Sequence, residues 1–424
     1  MSQATDFLKK HRMSPELVDP VFYAKKMCED MEAGLRGDKS FMPMIPTFIK
    51  ANGEIVKNTP VIVIDAGGTN FRCALAEFTD EGCVLSEVGK YKMPGIDEPA
   101  SWEEFISFTA DKIEPLTART DYIGFCFSYN AEITPDIDGK VIRIDKEVII
   151  KGCENKLVGA SLSEELARRG IPGKRVFVLN DTVAALLGSA YMLNKSKYSG
   201  FIGQISGTGA NTCCALPYSR IAKVERNDDI SILINLESGL YAGFEQGDFD
   251  TVLDNNSNNP GEKIMEKLVA GAYLGELGRL CLLSAADEGY LSEGAAKKIK
   301  ALERFDTSVL DAWACERELE KVCETEEDRK FVVEMSIALF DRAARCMCAN
   351  LVGIMLLTGN GRDKSRPVCI CAEGSLVDKS AYFRPFLEEH LKSYAEGELG
   401  LYSELHIGYE TTLPGSAAAA LLNI

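Results

Sequence analysis

"VIVIDAGGTNFRCALAEF", residues 61–78, decides how the rest of the chain is read. Val61, Ile62, Val63 and Ile64 are β-branched, which suits a buried, pleated strand. The run ends on Asp65, turns through Gly67, Gly68, Thr69 and Asn70, and is followed by a second apolar stretch. The pattern predicts strand, turn, strand. A turn of this composition is either a tight hairpin or a nest of backbone N–H groups that lets a phosphate and its metal come close. It is neither a Walker loop nor a G-x-G-x-x-G dinucleotide turn, because neither spacing occurs here.

The pattern returns at "FIGQISGTGANTCCAL", residues 201–216, where Gly207, Thr208 and Gly209 form the tip. One such hairpin is an ordinary turn. Two of them, about one domain apart, predict a duplicated α/β unit that grips a polyphosphate from both sides. Asp65, at the first strand tip, suits a magnesium ion held through water, since Mg²⁺ keeps several waters and few protein carboxylates.

Between and after the hairpins lie other polar residues with two readings each. "LNDTVAALLGS" (179–189) sets Asn180 and Asp181 at a strand–helix junction. Asp181 is there either a helix N-cap or a base that takes a hydroxyl proton during phosphoryl transfer. Glu237 and Glu266 are either surface acids, Glu266 favoured by the helix dipole, or acceptors for sugar hydroxyls. Lys151, Ser128 and Asn211 likewise read as ordinary polar residues or as ligand contacts.

Composition bounds the setting. The 424 residues allow two domains, and 46% apolar with 26% charged residues is usual for a globular protein. A formal charge of −17 argues against nucleic acid or an anionic membrane as the main partner. No apolar run spans a bilayer, and the first residues hold no signal-peptide core, so the expected setting is cytoplasmic with no membrane anchor. The fourteen cysteines contain no C-x-x-C pair and read as reduced core thiols. Only three histidines occur, so a catalytic base is expected to be a carboxylate.

Elsewhere, Asp19 and Pro20 predict a helix start, with Ala24, Met27, Cys28, Met31 and Leu35 at helical spacing. Prolines make 42–49 an extended connector, 122–130 reads as a strand, and 161–170 as a helix stopped by Gly170. A strand is predicted over 175–181, ending on a carboxylate. The stretch 261–285 reads as one helical region whose Gly271, Gly275 and Gly278 permit close packing, and 326–357 as a long helical region.

Taken in order, "FMPMIPTFI", "DAGGTNFR", "GFCFSYN", "IKG", "LNDT", "GTGAN", "NLESG", "NPGEKIMEKLVAGAYLGELGR", "AEGS" and "LPGSAAAALL" resemble the hexokinase family over nearly the whole chain. The resemblance implies an α/β fold of two ribonuclease-H-like (actin-like ATPase) domains, mixed sheets flanked by helices, with a cleft between them. It places the small domain at 59–180 plus 413–424 and the large domain at 1–58 plus 181–412. It implies transfer of the ATP γ-phosphoryl group to the 6-hydroxyl of a hexose, glucose first, with mannose or fructose as alternatives, and Mg²⁺ as cofactor. Asp181 would be the base, and domain closure on the sugar would exclude water. Ser128, Lys151, Asn180, Asp181, Asn211, Glu237 and Glu266 would hold the sugar, with Lys151 counted beside Asp181 as catalytic. Gly67, Gly68, Thr69, Asn70, Gly207, Thr208 and Gly209 would hold phosphates, Asp65 would place magnesium, and Gly374 and Ser375 would lie near the nucleoside.

The chain departs from the family pattern at named places. Ile149-Ile150-Lys151-Gly152-Cys153 stands for Trp-Thr-Lys-Gly-Phe, Ser238 for a tryptophan, Glu262 and Lys263 for two glutamines, and Glu373 for an aspartate. A lost hydrogen bond to a buried hydroxyl costs on the order of 1–3 kcal/mol, so these changes bear on sugar preference. A hexose-binding sensor without useful turnover is the alternative reading, and a filament or chaperone-type ATPase ranks behind both.

Overall fold

In the computed structural model, which describes residues 2–144, 148–226 and 228–424, the opening stretch is two paired strands. Val61–Gly67 runs antiparallel to Asn70–Thr79, with Asp65 opposite Arg72 and Gly67 opposite Asn70. Val61 to Ala66 are all buried, because the strand lies inside a sheet covered on both faces. That sheet has five strands, in the order Arg175–Leu179, Tyr122–Phe127, Val61–Gly67, Asn70–Thr79, Gly82–Lys92. The first three are parallel and the last two antiparallel. A second sheet has six strands, in the order Ile45–Lys50, Ser231–Asn235, Ala210–Pro217, Gly200–Ser206, Val368–Glu373, Ser403–Ile407.

The chain divides into two compact units. One comprises Met44–Gly203, Cys213–Leu236 and Gly408–Ile424, the other residues up to Pro43 with Gln204–Thr212 and Glu237–Ile407. In the first, an apolar core of Phe71, Phe105, Phe125 and Phe127 fills one face of the five-stranded sheet. The C-terminal helix Thr412–Leu422 is buried along its whole length. It fits because glycines face it. A Cβ at Gly124 would stand 2.1 Å from the Ser416 carbonyl oxygen, and one at Gly415 would stand 1.8 Å from that of Ala184.

In the second unit the long helix Glu326–Thr358 starts on a capping box formed by Thr325 and Asp328. It packs against the helix Pro20–Arg36, with Gly353 facing Ala24 and Met31. The latter helix begins as its sequence predicts, Asp19 accepting from the Val21 and Phe22 amides and Pro20 at the first position. The fully buried pair Arg342–Asp250 ties the long helix to Asp248–Asn255.

Several elements differ from the sequence reading. The expected connector at 42–49 contains a strand, Ile45–Lys50, paired with Ser231–Asn235. Pro46 is tolerated because this strand is the sheet edge, and the register shifts near Phe48, whose φ is +58°. The region 261–285 is broken into Ile264–Val269 and Gly271–Asp287 by the extended Ala270. Gly275 and Gly278 do allow close packing, on Phe305–Thr307 and Leu310, whereas Gly271 abuts the Gly207 carbonyl. The helix read over 161–170 starts earlier, at Val158, and Gly170 follows it in the left-handed region. All fourteen cysteines are free thiols, most of them buried.

Candidate active site

Each unit carries its own group of the sequence-predicted residues. In the first, parallel register sets Asp65 beside Cys126 and Cys126 beside Leu179. Asp65, Ser128 and Asn180–Asp181 therefore leave the sheet at the carboxyl ends of three adjacent strands, the edge where open α/β sheets bind ligands.

The first glycine turn is built tightly. Gly68 has φ +57°, a region that disfavours other residues, and its carbonyl accepts from the Tyr129 hydroxyl at 3.3 Å. A Cβ at Gly67 would stand 2.8 Å from Ser128 Oγ, so the missing side chain is what lets Ser128 approach the turn. Asp65 Oδ2 accepts from Arg72 Nε at 3.0 Å and Nη2 at 2.5 Å, and from Thr412 Oγ1 at 3.3 Å. Arg72 Nη2 also donates to Thr412 Oγ1 at 3.0 Å. The other oxygen, Oδ1, lies on the Gly67 side, 3.8 Å from where a Cβ there would stand. One oriented carboxylate beside bare backbone fits a magnesium ion held through water. Among the described residues no group of three or more His, Cys, Asp or Glu is placed to hold a metal.

Asp181 is the first residue of the helix Asp181–Met192, and the cap is Asn180, whose Oδ1 accepts from the Thr182 amide at 2.8 Å. The N-cap reading of Asp181 is thus corrected: the cap falls one residue earlier. Asp181 Oδ1 accepts from the same amide at 2.7 Å, which orients the carboxylate at the helix start. The Cys126 thiol lies between the two acids. Burial first, then Asp65 and Asp181, hold its pKa well above the usual thiol range, so it stays a neutral neighbour. Lys151 is exposed on the two-residue strand Ile150–Lys151 and makes no ion pair among the described residues. Its neighbour Ile150, at the family's threonine position, is buried in the core.

The second unit brings the rest together. Gly207, Thr208 and Gly209 form a turn whose carbonyls accept from the first amides of Gly271–Asp287, Gly271 N to Gly207 O at 2.8 Å and Ala272 N to Thr208 O at 3.2 Å. Gly374, at φ +130°, and Ser375 pack on Gly207; a Cβ at Gly207 would stand 3.4 Å from both Gly374 Cα and Ser375 N. The predicted phosphate and nucleoside residues of this unit are therefore neighbours. Glu266 Oε2 accepts from the Ala210 amide at 3.2 Å and would stand 2.9 Å from a Cβ at Gly209. Asn211 Oδ1 accepts from the Thr212 amide at 2.8 Å and the Ser238 amide at 3.2 Å, next to Glu237, which is left-handed at φ +55°. Lys263, also left-handed at φ +53°, sets its ammonium 3.7 Å from Glu266 Oε1. Ser238 is fully buried and its Oγ has no partner among the described residues.

Sequence reasoning missed Arg72 and Thr412 as the supports of Asp65. A signal for Arg72 was present, since residues equidistant from a two-residue turn face each other across a hairpin. Nothing near Thr412 in the sequence points to residue 65.

Two models described as hexokinase match residues 3–191 and 201–422. Hexokinase-1 of Schizosaccharomyces pombe is 27% identical over 404 residues, covering 88% of this chain and 81% of that protein. The chloroplastic hexokinase-2 of Nicotiana tabacum is 28% identical over 410 residues, covering 89% and 81%. Among solved structures, the hexokinase from Schistosoma mansoni complexed with glucose has a TM-score of 0.80 at 21% identity over 99% of both chains. That likeness shows the fold, an α/β actin-like ATPase fold of two domains.

Proposed function

This chain belongs to the hexokinase family and is an ATP-dependent hexose kinase, and from that premise we propose how its residues carry the reaction. Glucose is the preferred acceptor, with mannose or fructose next. Asp181 takes the proton of the sugar 6-hydroxyl as that oxygen attacks the γ-phosphorus, the bond from phosphorus to the bridging oxygen breaks, and ADP leaves. Phosphoryl transfer asks a protein mainly for positioning and charge neutralisation.

The observation that carries this reading is the shared strand edge, with Asp65, Ser128 and Asp181 at the ends of three parallel strands. Ser128, Lys151, Asn180, Asn211, Glu237 and Glu266 bind the hexose; ionised carboxylates accept strongly from hydroxyls. The turns Gly67–Asn70 and Gly207–Gly209 offer backbone N–H groups to phosphate oxygens, and Gly374 and Ser375 border the nucleoside. Asp65 would hold Mg²⁺ through water, and the ion, when bound, neutralises charge on the phosphate oxygens. The functional halves follow 59–180 plus 413–424 and 1–58 plus 181–412. Among the described residues no helix is long and apolar enough to cross a membrane, and we place the enzyme in the cytoplasm.

The test is ADP release with MgATP across a panel of hexoses, for the wild-type chain and Asp181→Ala. Release that requires a hexose, and falls by a factor on the order of 10²–10⁴ in the variant, supports the assignment. Sugar-dependent release that survives Asp181→Ala overturns Asp181 as the base.

A further inference from the structure

Away from these residues, the second unit carries an aromatic cleft of about 490 Å³ that the reaction does not use. That size is in the range of small-molecule sites. Its rim is made by Phe22 and Phe41, exposed at 52% and 50%, and its floor by Tyr23 and Tyr241, exposed at 5% and 3%. The rings are set edge to face, Phe22 on Tyr23 at 5.1 Å and Phe41 on Tyr241 at 5.7 Å between centroids. Gly243 has no side chain where one would meet Tyr241: a Cβ would stand 2.3 Å from its hydroxyl oxygen.

The charge on this lining is acidic. Glu29, Asp30 and Glu245 line the cleft with a single cation, Lys26, which pairs with Glu29 at 3.6 Å. Asp30 also accepts from the Phe41 and Met42 amides, both at 2.9 Å, so it fixes the rim ring. Burial first, then Asp30, Tyr23 and Glu29, push the Tyr241 phenol up, so it stays neutral. Half-exposed aromatic rings beside carboxylates attract an organic cation twice, through the ring quadrupole and through charge. A bare metal ion would use only the carboxylates, and an anion neither.

Tyr241 also connects the cleft to the sugar carboxylates. Its amide donates to the Ser238 carbonyl at 3.1 Å, and the next amide back, Leu240, donates to Glu237 at 3.0 Å. Its carbonyl accepts from Met265 at 3.0 Å, one residue before Glu266. We propose that this cleft is a regulatory site for a small organic cation with an apolar body, an ammonium or guanidinium compound, whose occupancy is felt at Glu237 and Glu266. The coupling half rests on the reading that those two acids bind the hexose; the binding half does not.

The probe is choline against its uncharged isostere 3,3-dimethyl-1-butanol, titrated calorimetrically into the full chain, with hexose kinetics run in parallel. Saturable choline binding is expected, weakened about tenfold in Phe41→Ala and in Glu29→Gln, with the isostere binding far more weakly. Both positions lie at the exposed rim, and Glu29→Gln keeps the side-chain shape, so retained ATP turnover checks the fold of each variant. No saturable choline binding, or equal binding of the isostere, or binding unmoved in both variants, overturns the site. Choline binding that leaves the hexose KM unchanged overturns the coupling, while Glu237→Gln tests the hexose reading separately.

Discussion

Arg72→Met should destabilise the first unit because it strips the support from Asp65. The Asp65 side chain is only 12% exposed and that of Arg72 25%. Their contact comprises two charged hydrogen bonds, with Thr412 bridging both groups. Removing one member of a fully buried pair costs about 3–5 kcal/mol, and exposed pairs are worth about 0–1 kcal/mol. This pair lies between those limits, nearer the buried one, so we expect a loss of about 2–3 kcal/mol. Asp65→Asn should cost less, about 1 kcal/mol, because Arg72 reaches solvent and has Glu410 at 3.8 Å. In the double variant neither charge remains, so the coupling should be about 1–2 kcal/mol. Urea denaturation of the four proteins, followed by far-UV circular dichroism without ligand, measures all three quantities. A single Arg72→Met cost below about 0.5 kcal/mol, together with no coupling, would refute the claim that Arg72 holds this carboxylate.

Three further outcomes follow from other parts of the molecule. Lys263→Gln should lower the hexose KM by about two- to fivefold with kcat unchanged, by releasing Glu266 from the ammonium 3.7 Å away, as steady-state kinetics will show. Burial pushes Asp328 up, but bonds from the Ser292 amide and hydroxyl and from the Thr325 and Glu324 amides outweigh it and hold its pKa down to about 2. Its folded pKa is thus below the unfolded value of about 3.9; the stabilisation is present above about pH 4 and is lost as pH falls toward 2. Asp328→Asn should therefore be less stable at neutral pH, with the gap to wild type closing in acid, by denaturation across that window. Finally, Gly67→Ala should raise the hexose KM by displacing Ser128, whose Oγ stands 2.8 Å from the new methyl, whereas Gly68→Ala meets no atom within 4 Å and should cost about 1 kcal/mol of backbone strain. Equal effects of the two on KM would refute the Ser128 contact.

The sequence was informative wherever the physics is local. Four β-branched residues before Asp65, and Asp19 with Pro20, each state their structure within a few positions, and each forms as read. Where it was silent, the deciding partner is far along the chain or the competing forces are tertiary. Ile45–Lys50 becomes a strand despite two nearby prolines because Ser231–Asn235 offers it an edge to pair with. Ala270 breaks a helix of good periodicity because Gly271 N is taken by the Gly207 carbonyl 64 residues earlier in the chain.

The two glycine turns show how far equal wording can carry unequal construction. The turn at 67–70 stands on a left-handed Gly68 and on a carboxylate fixed from behind by Arg72 and Thr412. The turn at 207–209 stands instead on a helix start that takes its carbonyls and on Glu266, which fills the space a Gly209 side chain would need. In the first, the acid belongs to the strand itself and faces the glycine turn. In the second, the acid is one we propose to bind the sugar, and it touches the turn we propose to bind phosphate. A change at Glu266 must therefore disturb both ligands, whereas one at Asp65 can leave the hexose KM intact. Comparing Glu266→Gln with Asp65→Asn for hexose and ATP KM separates the two constructions: joint losses in the first variant and an ATP-sided loss in the second follow from the geometry, and an ATP KM unmoved by Glu266→Gln would contradict it.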